Sequence, residues 1–195
     1  MQPKTFVFFG QVGSGKGTQV KLLIDFLKEK TGMLSTYAYP GNEYRKLVAS
    51  GNYTGDLIKD SLNKGELQPN FLTNTLFTNI LIDSLDDTKH FVADGYPRTT
   101  VQSEVFEQIM KFYKRDDIHI VYIELSEEEA MKRNLLRGRS DDTEEGLRRR
   151  FNEYLNNVVP AMNYFVDKSG YTLHTINGEQ SIEAVHQDII KALNL

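Results

Sequence analysis

The chain has 195 residues, with 23 Lys and Arg against 27 Asp and Glu, so its formal net charge of −4 excludes a general nucleic-acid coat protein and any partner chosen by bulk positive charge. At 39% hydrophobic and 26% charged residues it has the composition of a folded domain, long enough for one core and a small insertion. It has no cysteine and four scattered histidines, which excludes disulfides, cysteine-ligated zinc and thiol catalysis and leaves metal work to carboxylates and phosphates.

Lys4–Phe9, KTFVFF, is a short β-favouring apolar run ending at a glycine, as expected of a strand buried on both faces of a parallel sheet. Between Thr18 and Leu27 the apolar residues Val20, Leu23, Ile24 and Leu27 recur at helical spacing and predict a helix packed on that sheet. Further strands are expected at Leu34–Tyr39, Phe91–Ala93, Ile118–Leu125 and Tyr171–Ile176, separated by helical patterns such as Val105–Phe112 and Glu127–Leu136. This alternation predicts an α/β fold, a three-layer arrangement around a central parallel sheet. Between Pro40 and Asp87 no strand is expected. That stretch reads as short helices broken by Gly41, Gly51, Gly55, Gly65 and Pro69, an inserted helical subdomain longer than a simple crossover. A second, very small insertion is expected at Gly138–Asp142, before a long helix starting near Thr143.

Gly10-Gln11-Val12-Gly13-Ser14-Gly15-Lys16-Gly17-Thr18 follows the first strand and opens the first helix, the context a phosphate-binding loop requires. Glycines let successive N–H groups face one anion, and the helix N-terminus adds partial positive charge. Lys16 supplies a full charge that can follow a transferred phosphoryl group, and Thr18 can help hold Mg²⁺. Asp94, where the third strand runs into Asp94-Gly95, can orient Mg²⁺ through water, although an Asp-Gly pair is also an ordinary turn. Between Met131 and Arg150 seven cationic residues face four acidic ones, a local +3 that suits a spread anionic charge or a solvated helix face.

The GSGKGTQ form, in which Gly17 separates Lys16 from Thr18, resembles the nucleoside monophosphate kinases, adenylate kinase above all. Asp94-Gly95-Tyr96-Pro97-Arg98 is similar to the same family's DGFPR/DGYPR signature, and the resemblance covers nearly the whole chain. It implies a P-loop kinase domain over residues 1–195, with an acceptor-binding insertion at about 40–69 and a short lid at about 137–142. It implies that Gly13, Ser14, Gly15, Lys16, Gly17 and Thr18 bind ATP, joined by Arg137 and by Gln180 in the loop bordering the donor adenine. On the acceptor side it implies Arg98, Gly95 and Arg45, the last matching the arginine of an STGDLLR segment. Gln68 stands in a segment like KGxLVP, and Gln102 lies at the position where the family reads adenine with an amide. LLRGRSDDTEEGLRRRFNEY resembles the lid region, so Arg137, Arg139 and Arg150 are implied as catalytic alongside Lys16 and Arg98, with Arg139 and Arg150 also touching the acceptor. Asp141 and Asp142 match the acidic pair that holds lid arginines.

Tyr39-Pro40-Gly41 replaces the family's Ser-Thr-Gly, Tyr44 an aliphatic Leu, and Gln68 an apolar Val. These changes bear on the acceptor base. The resemblance implies Mg²⁺-dependent ATP + AMP ⇌ 2 ADP; UMP, CMP or another monophosphate as acceptor, and a nucleotide sensor with weak transfer, are the competing readings. ATP and AMP are the expected partners, with no nucleic-acid polymer and a monomeric state. No apolar run approaches the roughly 18 residues of a membrane span, and the apolar part of MQPKTFVFFG is too short for a secretory leader, so no membrane partner and a cytoplasmic location are expected.

Overall fold

The computed structural model describes residues 2–137, the last as backbone, and 143–195. The expected Gly138–Asp142 insertion, with Arg139, Asp141 and Asp142, therefore lies outside the described residues. The strands are β1 (Thr5–Phe9), β2 (Ser35–Ala38), β3 (His90–Asp94), β4 (Ile118–Glu124) and β5 (Tyr171–Asn177), all parallel, in the order β2-β3-β1-β4-β5. Each overlaps an expected strand. The helices are α1 (Lys16–Thr31), α2 (Pro40–Ala49), α3 (Tyr53–Asn63), α4 (Asn70–Ser84), α5 (Thr100–Phe112), α6 (Glu127–Arg137), α7 (Glu144–Glu153), α8 (Val159–Asn163) and α9 (Ile182–Ala192). A π-helical turn, Tyr154–Val158, joins α7 to α8.

β1 is buried along its whole length because its alternate side chains enter two different cores. Phe6 and Phe8 pack with Val20, Leu23 and Leu27 of α1 and Val185 and Ile189 of α9. Val7 and Phe9 pack on the other face with Phe77 and Leu81 of α4, Phe106 and Met110 of α5, and Met162 of α8. These are the three layers. Among the described residues, no helix is long and apolar enough to cross a membrane.

The helical insertion has its own small core, Tyr44, Ile58 and Leu72. Two of the glycines read as breakers are instead inside helices: Gly41 in α2 and Gly55 in α3. At Gly55 the cause is packing, since a Cβ there would run into the Leu47 carbonyl and the Val48 backbone of α2. Pro40 is the first residue of α2, where a missing N–H costs nothing. α5 begins a turn and a half before the expected Val105, because Thr99 caps it by accepting from the Gln102 N–H.

α5 is tied to the chain after α8 through Glu107. Its carboxylate accepts from Tyr164 Oη at 2.6 Å and Lys168 Nζ at 2.8 Å, and Lys111 lies at 3.0 Å. The hydrogen bonds from Lys168, then Tyr164, then Lys111 hold this carboxyl down to about 2 from an ordinary 4.5. A depressed carboxylate adds stability above its unfolded-state value and loses it as pH falls through the folded one. Glu107→Gln is therefore expected to be less stable than the parent chain at pH 7, with the gap closing between pH 4.5 and about 2. Urea unfolding of both proteins at a series of pH values measures this, and a gap independent of pH would refute it.

Candidate functional site

The site forms where β1 and β3 end side by side. Their register pairs Phe8 with Asp94, so the carboxylate stands next to the strand that feeds the glycine loop. The loop turns with Gly13 at φ +87° and Gly15 at φ +79°, and Gly15 is the N-cap of α1, taking the Thr18 N–H at 2.9 Å and the Gln19 N–H at 3.1 Å. The first-turn amides therefore stand at the positive end of a sixteen-residue helix. Ser14 is buried and its hydroxyl has no hydrogen-bond partner among the described residues, whereas Gly17 and Thr18 are exposed.

Lys16 Nζ lies 3.6 Å from Asp94 Oδ1, with side-chain exposures of 18% and 6%. Such a pair is held out of bulk water and keeps its attraction where a surface pair would not. Tyr37, at the end of β2, donates to Asp94 Oδ2 at 3.0 Å. Burial, then the facing Asp94 carboxylate, push the Tyr37 phenol far above its ordinary value, so it stays protonated and acts as a donor. Sequence reasoning missed Tyr37. The contact joins residues 57 apart, and its trace in the sequence is the Tyr37-Ala38-Tyr39 alternation at a strand end.

Tyr39 organises the neighbouring cationic region. Its ring stacks on Tyr37 at 6.1 Å between centroids and 15° between planes, and the Arg45 guanidinium lies over it at 5.4 Å. Arg45 is exposed and donates to Asn42 Oδ1 at 2.6 Å. Arg98 donates from Nε to the Gly95 carbonyl at 2.9 Å, and a Cβ on Gly95 would meet Arg98 Nη2 at 2.9 Å and Tyr39 Cε2 at 3.5 Å. The structure thus gathers Arg45, Arg98 and Gly95 around Tyr39, one of the residues that depart from the pattern noted in the sequence.

The two amides assigned to the acceptor base are engaged inside the protein. Gln102 is 2% exposed; its Oε1 accepts from the Arg98 N–H at 2.8 Å and its Nε2 donates to Asn70 Oδ1 at 2.9 Å. Gln68 is buried, accepting from Ser61 Oγ and donating to the Glu66 carbonyl. Tyr44 bonds through its hydroxyl to Thr73. Gln180 bonds to the Asn177 carbonyl at 3.0 Å and to Asp188 at 2.8 Å, which turns it toward α9.

Arg137 is the last residue of α6. Arg150, on α7, lies against the α3–α4 turn: a Cβ on Gly65 would be 2.9 Å from its Cδ, and Arg149 reaches the Lys64 carbonyl at 3.4 Å. Helix α7 and the helical insertion are therefore in contact.

A parallel sheet whose central strand opens into a glycine loop capped by a lysine-bearing helix, with arginines on the adjoining edge, defines a phosphate-loop nucleotide-binding protein. Comparison with known proteins agrees. The adenylate kinase family model matches residues 8–170. An adenylate kinase of Thermosipho africanus is 31% identical, with 96% of this chain and 98% of the relative aligned. One of Prochlorococcus marinus is 32% identical over 95% and 96%, and one of Bacteroides fragilis 31% over 96% and 97%. The chain belongs to the adenylate kinase family. It is a nucleoside monophosphate kinase, a nucleotide-binding transferase.

Tyr37→Phe keeps the ring stack and removes the hydrogen bond to a buried carboxylate. It is expected to lower phosphoryl-transfer turnover about tenfold, the equivalent of one such bond, and to lower the melting temperature by only a few degrees. Steady-state kinetics beside thermal melting test this; turnover equal to the parent's would remove Tyr37 from the site.

Proposed function

We propose that the chain catalyses ATP + AMP ⇌ 2 ADP with Mg²⁺, and that the observation carrying this reading is the Lys16–Asp94 pair at 3.6 Å between the glycine loop and the Tyr39-centred arginines. In this reading Gly13, Ser14, Gly15, Lys16, Gly17 and Thr18 hold the ATP phosphates, with Arg137 and the Gln180 loop on the donor side. The buried Ser14 hydroxyl, with no hydrogen-bond partner among the described residues, is consistent with this role. Arg45 and Arg98 neutralise the AMP phosphate beside Gly95, and the 40–69 insertion closes over it. Arg139 and Arg150, with the 137–142 lid, complete the cationic shell around the transferred group.

Asp94 Oδ1 is buried, ion-paired with Lys16 and without a hydrogen-bond partner among the described residues, and oxygen ligands suit a hard cation, so Asp94 through water and the Thr18 hydroxyl fit Mg²⁺. When bound, the ion supplies charge neutralisation on the phosphate oxygens. The reaction is an in-line displacement: an AMP phosphate oxygen forms a bond to the γ-phosphorus of ATP as the β–γ bridging bond breaks, with ADP leaving. The attacking oxygen is already anionic near neutral pH, so positioning and electrostatic stabilisation carry catalysis and no protein base is required. Gln102 suits adenine among the bases because its two internal bonds leave it one N–H and one lone pair, the adjacent donor and acceptor that an adenine edge complements.

Lys16→Met is expected to reduce transfer about 100- to 1,000-fold, as removal of one transition-state donor does, without loss of fold. In a panel of AMP, UMP, CMP, dTMP and GMP at fixed ATP, AMP is expected to give the highest kcat/KM, and chelation of Mg²⁺ is expected to abolish turnover. Near-normal turnover by Lys16→Met, or a preferred pyrimidine, overturns the assignment it tests.

A further inference from the structure

Beneath the glycine loop lies a pair of buried amides with no place in the transfer reaction. Gln11, 4% exposed, donates from Nε2 to the carbonyls of Leu125 at 2.6 Å and Ser126 at 3.1 Å. Asn134 of α6, 1% exposed, donates from Nδ2 to the carbonyls of Ala130 at 2.7 Å and Val12 at 3.1 Å. Each NH₂ group therefore has two carbonyl partners, which fixes the amide orientation. It also leaves Gln11 Oε1 and Asn134 Oδ1 buried with no donor among the described residues. Both side chains line the same small space, about 10 Å³, bounded by Leu147 and Phe151 of α7.

Two acceptors bordering a space of about one water probe match the two protons of a single water molecule. A hard cation takes about six or more oxygens and fits worse, because beyond the two amides only Glu127 among the lining side chains carries oxygen, the rest being apolar. We infer that one buried water bridges Gln11 Oε1 and Asn134 Oδ1, and that this bridge makes Asn134 a positioning residue for the donor-phosphate loop. The Val12 carbonyl that Asn134 holds precedes Gly13, where a Cβ would come 2.5 Å from Asn134 Nδ2. Three residues beyond Asn134, α6 ends at Arg137. One side chain thus sets the height of the loop against the helix that leads into the lid. The inference rests on the donor-phosphate reading of that loop.

Asn134→Leu, Gln11→Leu and the double variant, in the full chain, test it by calorimetry with Mg-ATP and by steady-state kinetics with ATP and AMP. Each single variant is expected to raise the Kd and KM for Mg-ATP about tenfold, the loss of one buried hydrogen-bonded link, while the KM for AMP stays within about twofold. The double variant is expected to be no worse than the poorer single one, because both act through one water. Equal shifts in both KM values, multiplying effects in the double variant, or no shift would each overturn the proposal. Should Asn134→Leu fail to fold, Gln11→Leu alone still carries the split between the two substrates. Absence of Mg-ATP binding by the parent chain would overturn the functional reading instead. The bridge is then judged by a crystal structure: density for one water within hydrogen-bonding distance of both oxygens supports it, and a dry space overturns it.

Discussion

A positive end of a helix, an ammonium and a buried carboxylate must share one small region without collapsing onto each other, and the rest of the molecule is arranged to hold them there. Lys16 stands on the first turn of α1 and Asp94 at the end of β3, and neither strand end could move without losing the Phe8–Asp94 register. Two apolar cores clamp β1 from opposite faces. Rigid strands fix the charges, and the irregular loop between them supplies the donors.

Around this centre, side-chain amides do much of the fixing. Gln102 links Arg98 to Asn70 of α4, and Asn70 also accepts from Thr99 at 2.9 Å. Gln11 and Asn134 do the same between the loop, the β4–α6 connection and α6. Buried amides bonded to backbone carbonyls specify one geometry, since any shift leaves a polar atom unpaired in a region of low dielectric. The cationic groups are less constrained: Arg45 is exposed and rests on Tyr39. The glycine-loop side is thus held firmly by buried bonds, and the Tyr39 side leaves its arginine freer.

The strands and the phosphate loop were legible because each is a local pattern: an apolar run of five residues, or glycines and a lysine in fixed spacing. Arg45 and Arg98 were singled out by resemblance alone, since nothing in their sequence neighbourhoods distinguishes them from surface arginines, and what the structure adds is that both lie beside Tyr39. Tyr37 and Asn134 drew no notice, because their contacts with the glycine-loop region join residues 57 and 122 apart in sequence. Gly55 was misread as a helix breaker because a glycine that lets two helices approach looks, in sequence, like one that ends a helix. Gln102 was picked out by resemblance as an amide that reads a base, and what the sequence did not show is that the same amide is braced between Arg98 and α4.

The π-helical turn at Tyr154–Val158 has a consequence for how one rod can serve two masters. Pro160 has no N–H to give, and the turn is closed instead by Val159 bonding back five residues to Tyr154. The additional residue advances the phase of everything after it by about 100°, a little over a quarter of a revolution. Upstream, Arg149 and Arg150 point at the α3–α4 turn of the helical insertion; downstream, Ala161 and Met162 lie in the sheet core. A helix of uniform pitch would carry both sets on whatever azimuths its sequence dictated, whereas this single inserted residue lets the polar and apolar segments be aimed independently.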